Sequence, residues 1–181
     1  GTFTFGVLTS LRLVAGNLAL TEIFMILPIT LAMLISVKRN FDYPSLLAAG
    51  ILFAVASLYK QVGALEAAAL GIFLFLISTS LTDFIKKGVA LSLGFLIPYA
   101  VTIAYFAPKH LVGEYIFAAY TYYRIYLGES PKYELLVNIL KFLPIITAIA
   151  YGFYKKIKGK VEVFHLILLW TASSFLGSYF S

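Results

Sequence analysis

Residues 16–37 read GNLALTEIFMILPITLAMLISV, an apolar segment with an amide (Asn17) and a carboxylate (Glu22) near its start. The segment is long enough for a helix to cross a bilayer, which takes about 20 residues. The next apolar segment ends in LYKQ at residues 58–61, so Lys60 returns to the side on which Glu22 lies. The sequence therefore predicts membrane helices that hold Glu22 and Lys60 at one face of a bilayer.

The composition of the 181-residue chain indicates an integral membrane protein. It is 61% hydrophobic and 12% charged, with a mean hydropathy of +0.95, whereas about 25% of residues are charged in soluble domains. The net charge of +6 does not indicate a nucleic-acid surface, because the basic residues lie beside apolar segments rather than along one exposed face. Since cysteine is absent, disulfides, thiolate metal sites and cysteine nucleophiles are excluded.

Basic residues cluster in polar breaks between alternate apolar segments, at Lys38-Arg39, Lys86-Lys87 and residues 155–160. This is the positive-inside pattern, so we expect these loops to be cytoplasmic. The fold class predicted is all-α, a polytopic helix bundle in the cell (plasma) membrane, with about five complete or near-complete spans and partial spans at the ends. We expect residues 1–181 to be part of a single transmembrane domain of a longer protein, because the chain starts without methionine and stops in an apolar segment.

The hydropathy pattern also predicts the boundaries of the elements. An interfacial helix is expected near residues 110–127 on the outer face, because this stretch is rich in tyrosine and is followed by Gly128 and Pro131. Inner turns are predicted at Phe41–Ser45 and Thr82–Lys87. The predicted spans are Leu18–Val37, Leu46–Tyr59, Val62–Leu81, Gly88–Phe106, Leu135–Tyr154 and the beginning of another at Val161–Ser181.

The polar residues at the predicted outer face each have a structural and a functional interpretation. Glu22 is favoured by the dipole at a helix start, and it can equally bind a metal or orient a polar acceptor. Lys60 at a helix end can extend to lipid headgroups or hold an anionic phosphate. Gln61 can donate to the same phosphate oxygens or simply end the helix. Glu66 is predicted either to form a local ion pair with Lys60 or to be a carboxylate favoured by the helix dipole.

The remaining candidates are less specific. Arg124, among tyrosines, is typical of a headgroup anchor and can also grip a phosphate with two hydrogen bonds. Asn17 suits a helix cap. His110 is predicted to be interfacial, and His165 to be packed or interfacial. The stripe of Tyr115, Phe117, Tyr120 and Tyr123 suits a membrane belt, although tyrosines also stack on sugars.

The run GNLALTEIFMILPITLAMLI, the basic turn and the run LLAAGILFAVASLYKQVGAL together resemble the dolichyl-phosphate-mannose–protein mannosyltransferase superfamily, including the lipid A aminoarabinose transferases. These are glycosyltransferases of the GT-C class. Their pattern of Asn or Arg followed by an acidic residue five positions later matches Asn17 and Glu22. Their small-residue helix ending in Lys-Gln matches Gly50 and Lys60-Gln61. Motifs carry the similarity over Val14–Leu65. Over the remainder of the chain, the similarity lies in the order of apolar and polar segments.

The resemblance implies transfer of a sugar from a polyprenyl(dolichyl)-phosphate donor to a protein, lipid or glycan acceptor on the outer face. Asn17, Lys60, Gln61 and Arg124 would bind substrate, and Glu22 would bind a divalent metal ion or orient the acceptor. The catalytic residue would be an Asp in a first outer loop upstream of Gly1. We therefore expect this chain alone to be inactive, with that loop and the C-terminal region missing.

Two other functions fit the same hydropathy. A transporter or flippase for a lipid-linked solute would need charged residues near the middle of the spans. A non-catalytic membrane scaffold would direct Glu22, Lys60 and Arg124 to headgroups in different directions, whereas an enzyme would bring them to one outer cavity.

Overall fold

The computed structural model describes residues 21–122, 134–158 and 161–179, with their side chains except at 21–23, 134–139, 141–142 and 178–179. Helices make up all regular structure in these ranges, and no strand occurs within them. The all-α prediction is confirmed for the described part of the chain.

The connections after the first three helices are short, so consecutive helices run in opposite directions. A 3₁₀ turn (Ala107–Lys109) follows the fourth helix, and a π-turn (Phe117–Thr121) continues the fifth; residues 107–122 are called the tyrosine segment below. The α-helices are α1 Thr21–Lys38, α2 Tyr43–Tyr59, α3 Gly63–Ile77, α4 Leu81–Phe106, α5 Val112–Ile116, α6 Glu134–Ile157 and α7 Val163–Tyr179.

The turn between α1 and α2 ends in an N-cap. The Asp42 carboxylate accepts a hydrogen bond from the Ser45 backbone N–H at 2.9 Å, and Pro44 stands in the first turn of the helix, where its missing N–H costs nothing. The side chain and the backbone N–H of Ser45 hold the pKa of Asp42 below its ordinary value. Since α2 already begins at Tyr43, the predicted turn Phe41–Ser45 extends too far along the chain.

The prediction of an inner loop at Thr82–Lys87 is wrong, because these residues belong to the first turns of α4. The Ser80 hydroxyl accepts from the Asp83 backbone N–H at 3.1 Å and caps the helix. Lys87 pairs with Asp83 one turn earlier at 2.9 Å. The prediction failed because the polar residues that start this helix have the composition of a loop. The connection between α3 and α4 has only three residues.

One helix of the described part, Leu81–Lys109, is long and apolar enough to cross a membrane by itself. Most of this helix is exposed, because only 17% of its most apolar 18-residue stretch is buried in the protein. The other apolar helices have 10–17 residues: Phe24–Lys38, Tyr43–Tyr59, Gly63–Ile77 and Val163–Gly177. The count of about five spans therefore stays a prediction.

Helices α2 and α4 cross with their backbones in direct contact at two glycines. A Cβ atom on Gly50 would overlap the carbonyl of Leu91 and lie 2.7 Å from the backbone nitrogen of Phe95. A Cβ atom on Gly94 would overlap the Leu47 carbonyl, with the carbonyl carbon at 2.8 Å. Small residues at a crossing permit such close packing.

The reversals of the chain give the bundle two chemically different ends. At the basic end, the Lys156 ammonium of α6 donates to the carbonyls of Phe75 and Ser78 where α3 finishes, so it compensates the negative end of that helix dipole. At the tyrosine end, the Phe24 ring of α1 stacks on Tyr59 of α2 with centroids 5.9 Å apart. The cations of the basic end are Lys38, Arg39, Lys86, Lys87, Lys155, Lys156 and Lys158.

The glycine crossing generates a test of the fold. We expect Gly94→Ala to lower the free energy of unfolding by about 1–3 kcal/mol, the usual cost of overpacking, because the added methyl group meets backbone that cannot rotate away. Gly88→Ala on the same helix is the matched control, since a Cβ atom there meets nothing within 4 Å. Thermal unfolding of the purified variants measures both. Equal unfolding temperatures for the two variants would contradict the crossing.

Candidate functional site

A cavity of about 490 Å³ opens at the tyrosine end, between the α2–α3 turn and the tyrosine segment. Its wall combines one cation and one amide with tyrosine rings, hydroxyls and aliphatic side chains. The residues that line it are Ser57, Leu58, Tyr59, Lys60, Gln61, Val62, Thr102, Tyr115, Ala118, Ala119, Tyr120 and Tyr122. This is a mixed surface, suited to a ligand with both polar and apolar parts.

Lys60 and Gln61 reach the cavity because α2 ends immediately before them. The Lys60 backbone N–H donates the last helical hydrogen bond to the Ala56 carbonyl at 3.2 Å, and the chain then becomes extended. The turn is tight because Gly63 packs against the end of α2, where a Cβ atom would lie 2.9 Å from Ala56 backbone carbon. The Gln61 amide donates to the Ala119 carbonyl across the cavity. Two predicted site residues therefore line the same cavity wall.

The tyrosine segment differs from the predicted interfacial helix at residues 110–127. His110 has a left-handed backbone (φ 56°), so it ends the 3₁₀ turn, and the helix begins at Val112. Tyr115 and Tyr120 line the cavity, whereas the Phe117 side chain is half exposed. The predicted single stripe is therefore divided between two faces. Its member Tyr123, like residues 124–127, lies outside the described residues.

Hydroxyl groups from α2 and α4 add to the cavity, and sequence analysis did not single them out. The Ser57 hydroxyl lies 2.7 Å from the hydroxyl of Tyr99, and Thr102 lines the wall one helical turn beyond Tyr99. Each of these residues stands inside an apolar helix, where a single hydroxyl is an ordinary component of packing. Only the α2–α4 crossing, which depends on Gly50 and Gly94, brings them together.

Glu66 is buried beside this site and ties α3 to α7. It lies in the first turn of α3, as predicted for a carboxylate favoured by the helix dipole. Its two carboxylate oxygens accept hydrogen bonds from Ser173 at 2.6 Å and Ser174 at 2.8 Å. These serines are 107 and 108 residues further along the chain, so Glu66 also makes long-range contacts that the sequence analysis did not predict.

The two histidines occupy different environments. His165 is buried at the start of α7, where its Nδ1 accepts from the Glu162 backbone N–H at 2.9 Å. Its ring stacks on Tyr151 of α6, with centroids 5.5 Å apart. The prediction that His165 is packed is confirmed, whereas His110 is exposed in the turn before α5.

Three predicted site residues lie wholly or partly outside the described residues. Asn17 and Arg124 lie outside the described residues, and so does the side chain of Glu22. The backbone of Glu22 belongs to the start of α1, which is at the tyrosine end because Phe24 stacks on Tyr59. Among the described residues, no three His, Asp or Glu side chains are grouped to hold a metal ion. The divalent metal therefore stays a prediction that depends on Glu22.

Comparison of the chain with protein-family models, with curated proteins and with solved structures finds no match. The interpretation of the cavity consequently rests on its geometry and on the motifs of the sequence.

The Glu66 contacts generate a stability test. Replacing both serines (Ser173→Ala with Ser174→Ala) leaves a buried carboxylate without its hydrogen-bond donors. We therefore expect the free energy of unfolding to fall by about 1–3 kcal/mol. The control is Thr171→Ala on the same helix, because that exposed hydroxyl bonds only within α7, to Ile167. Thermal unfolding of both variants is the measurement. A double variant as stable as the control would show that the contact between α3 and α7 does not depend on Glu66.

Proposed function

We propose that the chain is part of a multi-pass membrane glycosyltransferase that moves a sugar from a polyprenyl-phosphate donor to an acceptor at the tyrosine end of the bundle. The observation that carries this proposal is that Lys60 and Gln61, the pair matched by the family motif, line one cavity with Tyr115 and Tyr120. A cation beside tyrosine rings and aliphatic side chains suits a ligand with a phosphate, a sugar and a hydrocarbon chain.

The apolar exterior of the bundle supports a multi-pass arrangement. Large hydrophobic side chains are exposed along α4, including Leu93, Leu96 and Val101, each more than half accessible. In water such a surface would be a liability, whereas in a bilayer it is the expected exterior. Helices of 15 and 17 residues can cross where the bilayer thins around them. The lysines of the basic end would then face the cytosol.

The chemistry proposed is a single displacement with inversion. An acceptor hydroxyl oxygen bonds to the anomeric carbon as the bond from that carbon to the phosphate oxygen breaks. The polyprenyl phosphate leaves with the electron pair of the broken bond, and the acceptor proton passes to a base, for which the resemblance implies an Asp upstream of Gly1. Lys60 would stabilise the charge on the leaving phosphate, and Arg124 would add a second cation.

Glu22 and Gln61 complete the proposed site. The Gln61 amide donates to the Ala119 carbonyl, so this side chain joins the α2–α3 turn to the tyrosine segment at the cavity. Glu22, at the start of α1, would bind a divalent metal or orient the acceptor. A divalent cation would supply further positive charge at the leaving phosphate.

The role of Lys60 is tested by donor binding. We expect Lys60→Ala to weaken binding of a radiolabelled C55 polyprenyl phosphate about 10- to 150-fold, since a hydrogen bond to a charged group contributes about 1.5–3 kcal/mol. Lys109→Ala is the control, because Lys109 is at the same end but lies over the Tyr105 ring, 3.5 Å from its centre. Equal loss in both variants would indicate a general attraction of the surface for anions, not a phosphate site.

The enzyme class is tested with the full-length protein in vesicles that contain polyprenyl-phosphate mannose or aminoarabinose. The proposal expects release of free polyprenyl phosphate that requires an acceptor and is lost in Lys60→Ala. Movement of the intact donor between leaflets, without release of its sugar, would support a flippase and overturn the transferase proposal.

A further inference from the structure

Hydroxyl-bearing side chains from three elements line the cavity, and they are called the hydroxyl series below. The Ser57 hydroxyl lies 2.7 Å from that of Tyr99. Tyr115 and Tyr120 of the tyrosine segment line the same cavity. Ser57 of α2 and Thr102 of α4 line it too, so these two helices and the tyrosine segment each contribute at least one hydroxyl-bearing side chain to the cavity.

The π-turn explains how Tyr115 and Tyr120 come to share a wall. Residues five apart in an α-helix point about 140° away from each other, because each residue turns the helix by about 100°. The π-turn Phe117–Thr121 has hydrogen bonds to the fifth residue, so it holds more residues in each turn. Tyr120 is thereby rotated back toward the side of Tyr115, and both rings line the cavity.

The hydroxyl series has no formal charge. Burial raises the pKa of both Tyr115 and Tyr120 above the ordinary value for tyrosine. Their hydroxyls are therefore protonated at neutral pH, and each can donate one hydrogen bond and accept others. A neutral series of donors and acceptors suits a neutral polyhydroxylated ligand, whereas an anion would need the cation of Lys60.

We propose that Tyr115 and Tyr120 form the sugar-recognition wall of the cavity and hydrogen-bond the hydroxyls of the donor's sugar ring. The inference rests on the proposed function, because it assigns the sugar of that donor to one wall and leaves the phosphate to Lys60. The exposed faces of the tyrosine rings would pack against the C–H groups of the sugar. On this assignment, Tyr115 and Tyr120 determine which sugars are accepted.

The assignment is tested by comparing two ligands that differ only in the sugar. Binding of C55 polyprenyl phosphate and of the same lipid carrying mannose or aminoarabinose is measured on the full chain and on Tyr115→Phe and Tyr120→Phe. We expect the sugar-bearing lipids to lose about 2- to 12-fold in affinity per hydroxyl removed, the range for a neutral hydrogen bond. Binding of the plain phosphate lipid should not change. Tyr105→Phe is the control, because its ring is exposed on α4 beneath Lys109.

The outcomes separate the inference from the proposed function. If the unaltered chain binds neither lipid, the proposed function fails and the sugar wall fails with it. If both lipids bind, and the Phe variants weaken both equally or neither, the donor site stands and the sugar wall is overturned. Unchanged thermal unfolding of the Phe variants would show that a selective loss comes from recognition and not from misfolding.

Discussion

The crossing of α2 and α4 at Gly50 and Gly94 is the constraint on which the candidate site depends. Because backbone meets backbone there, the two helices cannot shift along each other without a clash. Two turns beyond Gly50, the same packing sets the Ser57 hydroxyl against Tyr99. The α2–α3 turn is thereby held beneath the tyrosine segment, and the cavity is the space between them.

Hydropathy and charge predicted the helical class and the order of the elements, because each apolar run within residues 21–122, 134–158 and 161–179 forms a helix. They placed boundaries poorly where polar residues start a helix: Asp83 and Lys87 look like a loop in sequence, yet they pair within α4. The convergence of Lys60 and Gln61 on one cavity follows from their adjacency at a helix end. The bond of Glu66 with Ser173 depends on a fold over more than 100 residues, for which one sequence gives no signal.

The division of chemistry between the two ends of the bundle gives the proposed function its physical basis. At the basic end, Lys156 has a structural role, because it caps α3 by donating to the Phe75 and Ser78 carbonyls. At the tyrosine end, an amide, a cation and several hydroxyls surround a cavity, beside a buried carboxylate that is fixed by α7. In the proposed enzyme, one end orients the chain in the membrane and the other binds the donor.

Photo-crosslinking can show whether this cavity binds a lipid-linked phosphate, as we propose. Benzoylphenylalanine replaces either Ala118, which lines the cavity, or Ile103, which is exposed on α4, and the full chain is illuminated with radiolabelled C55 polyprenyl-phosphate mannose. If the donor occupies the cavity, labelling from position 118 is strong and labelling from position 103 is weak. Equal labelling, or stronger labelling from position 103, would show that the lipid associates with the outside of the bundle and that the cavity is not its site.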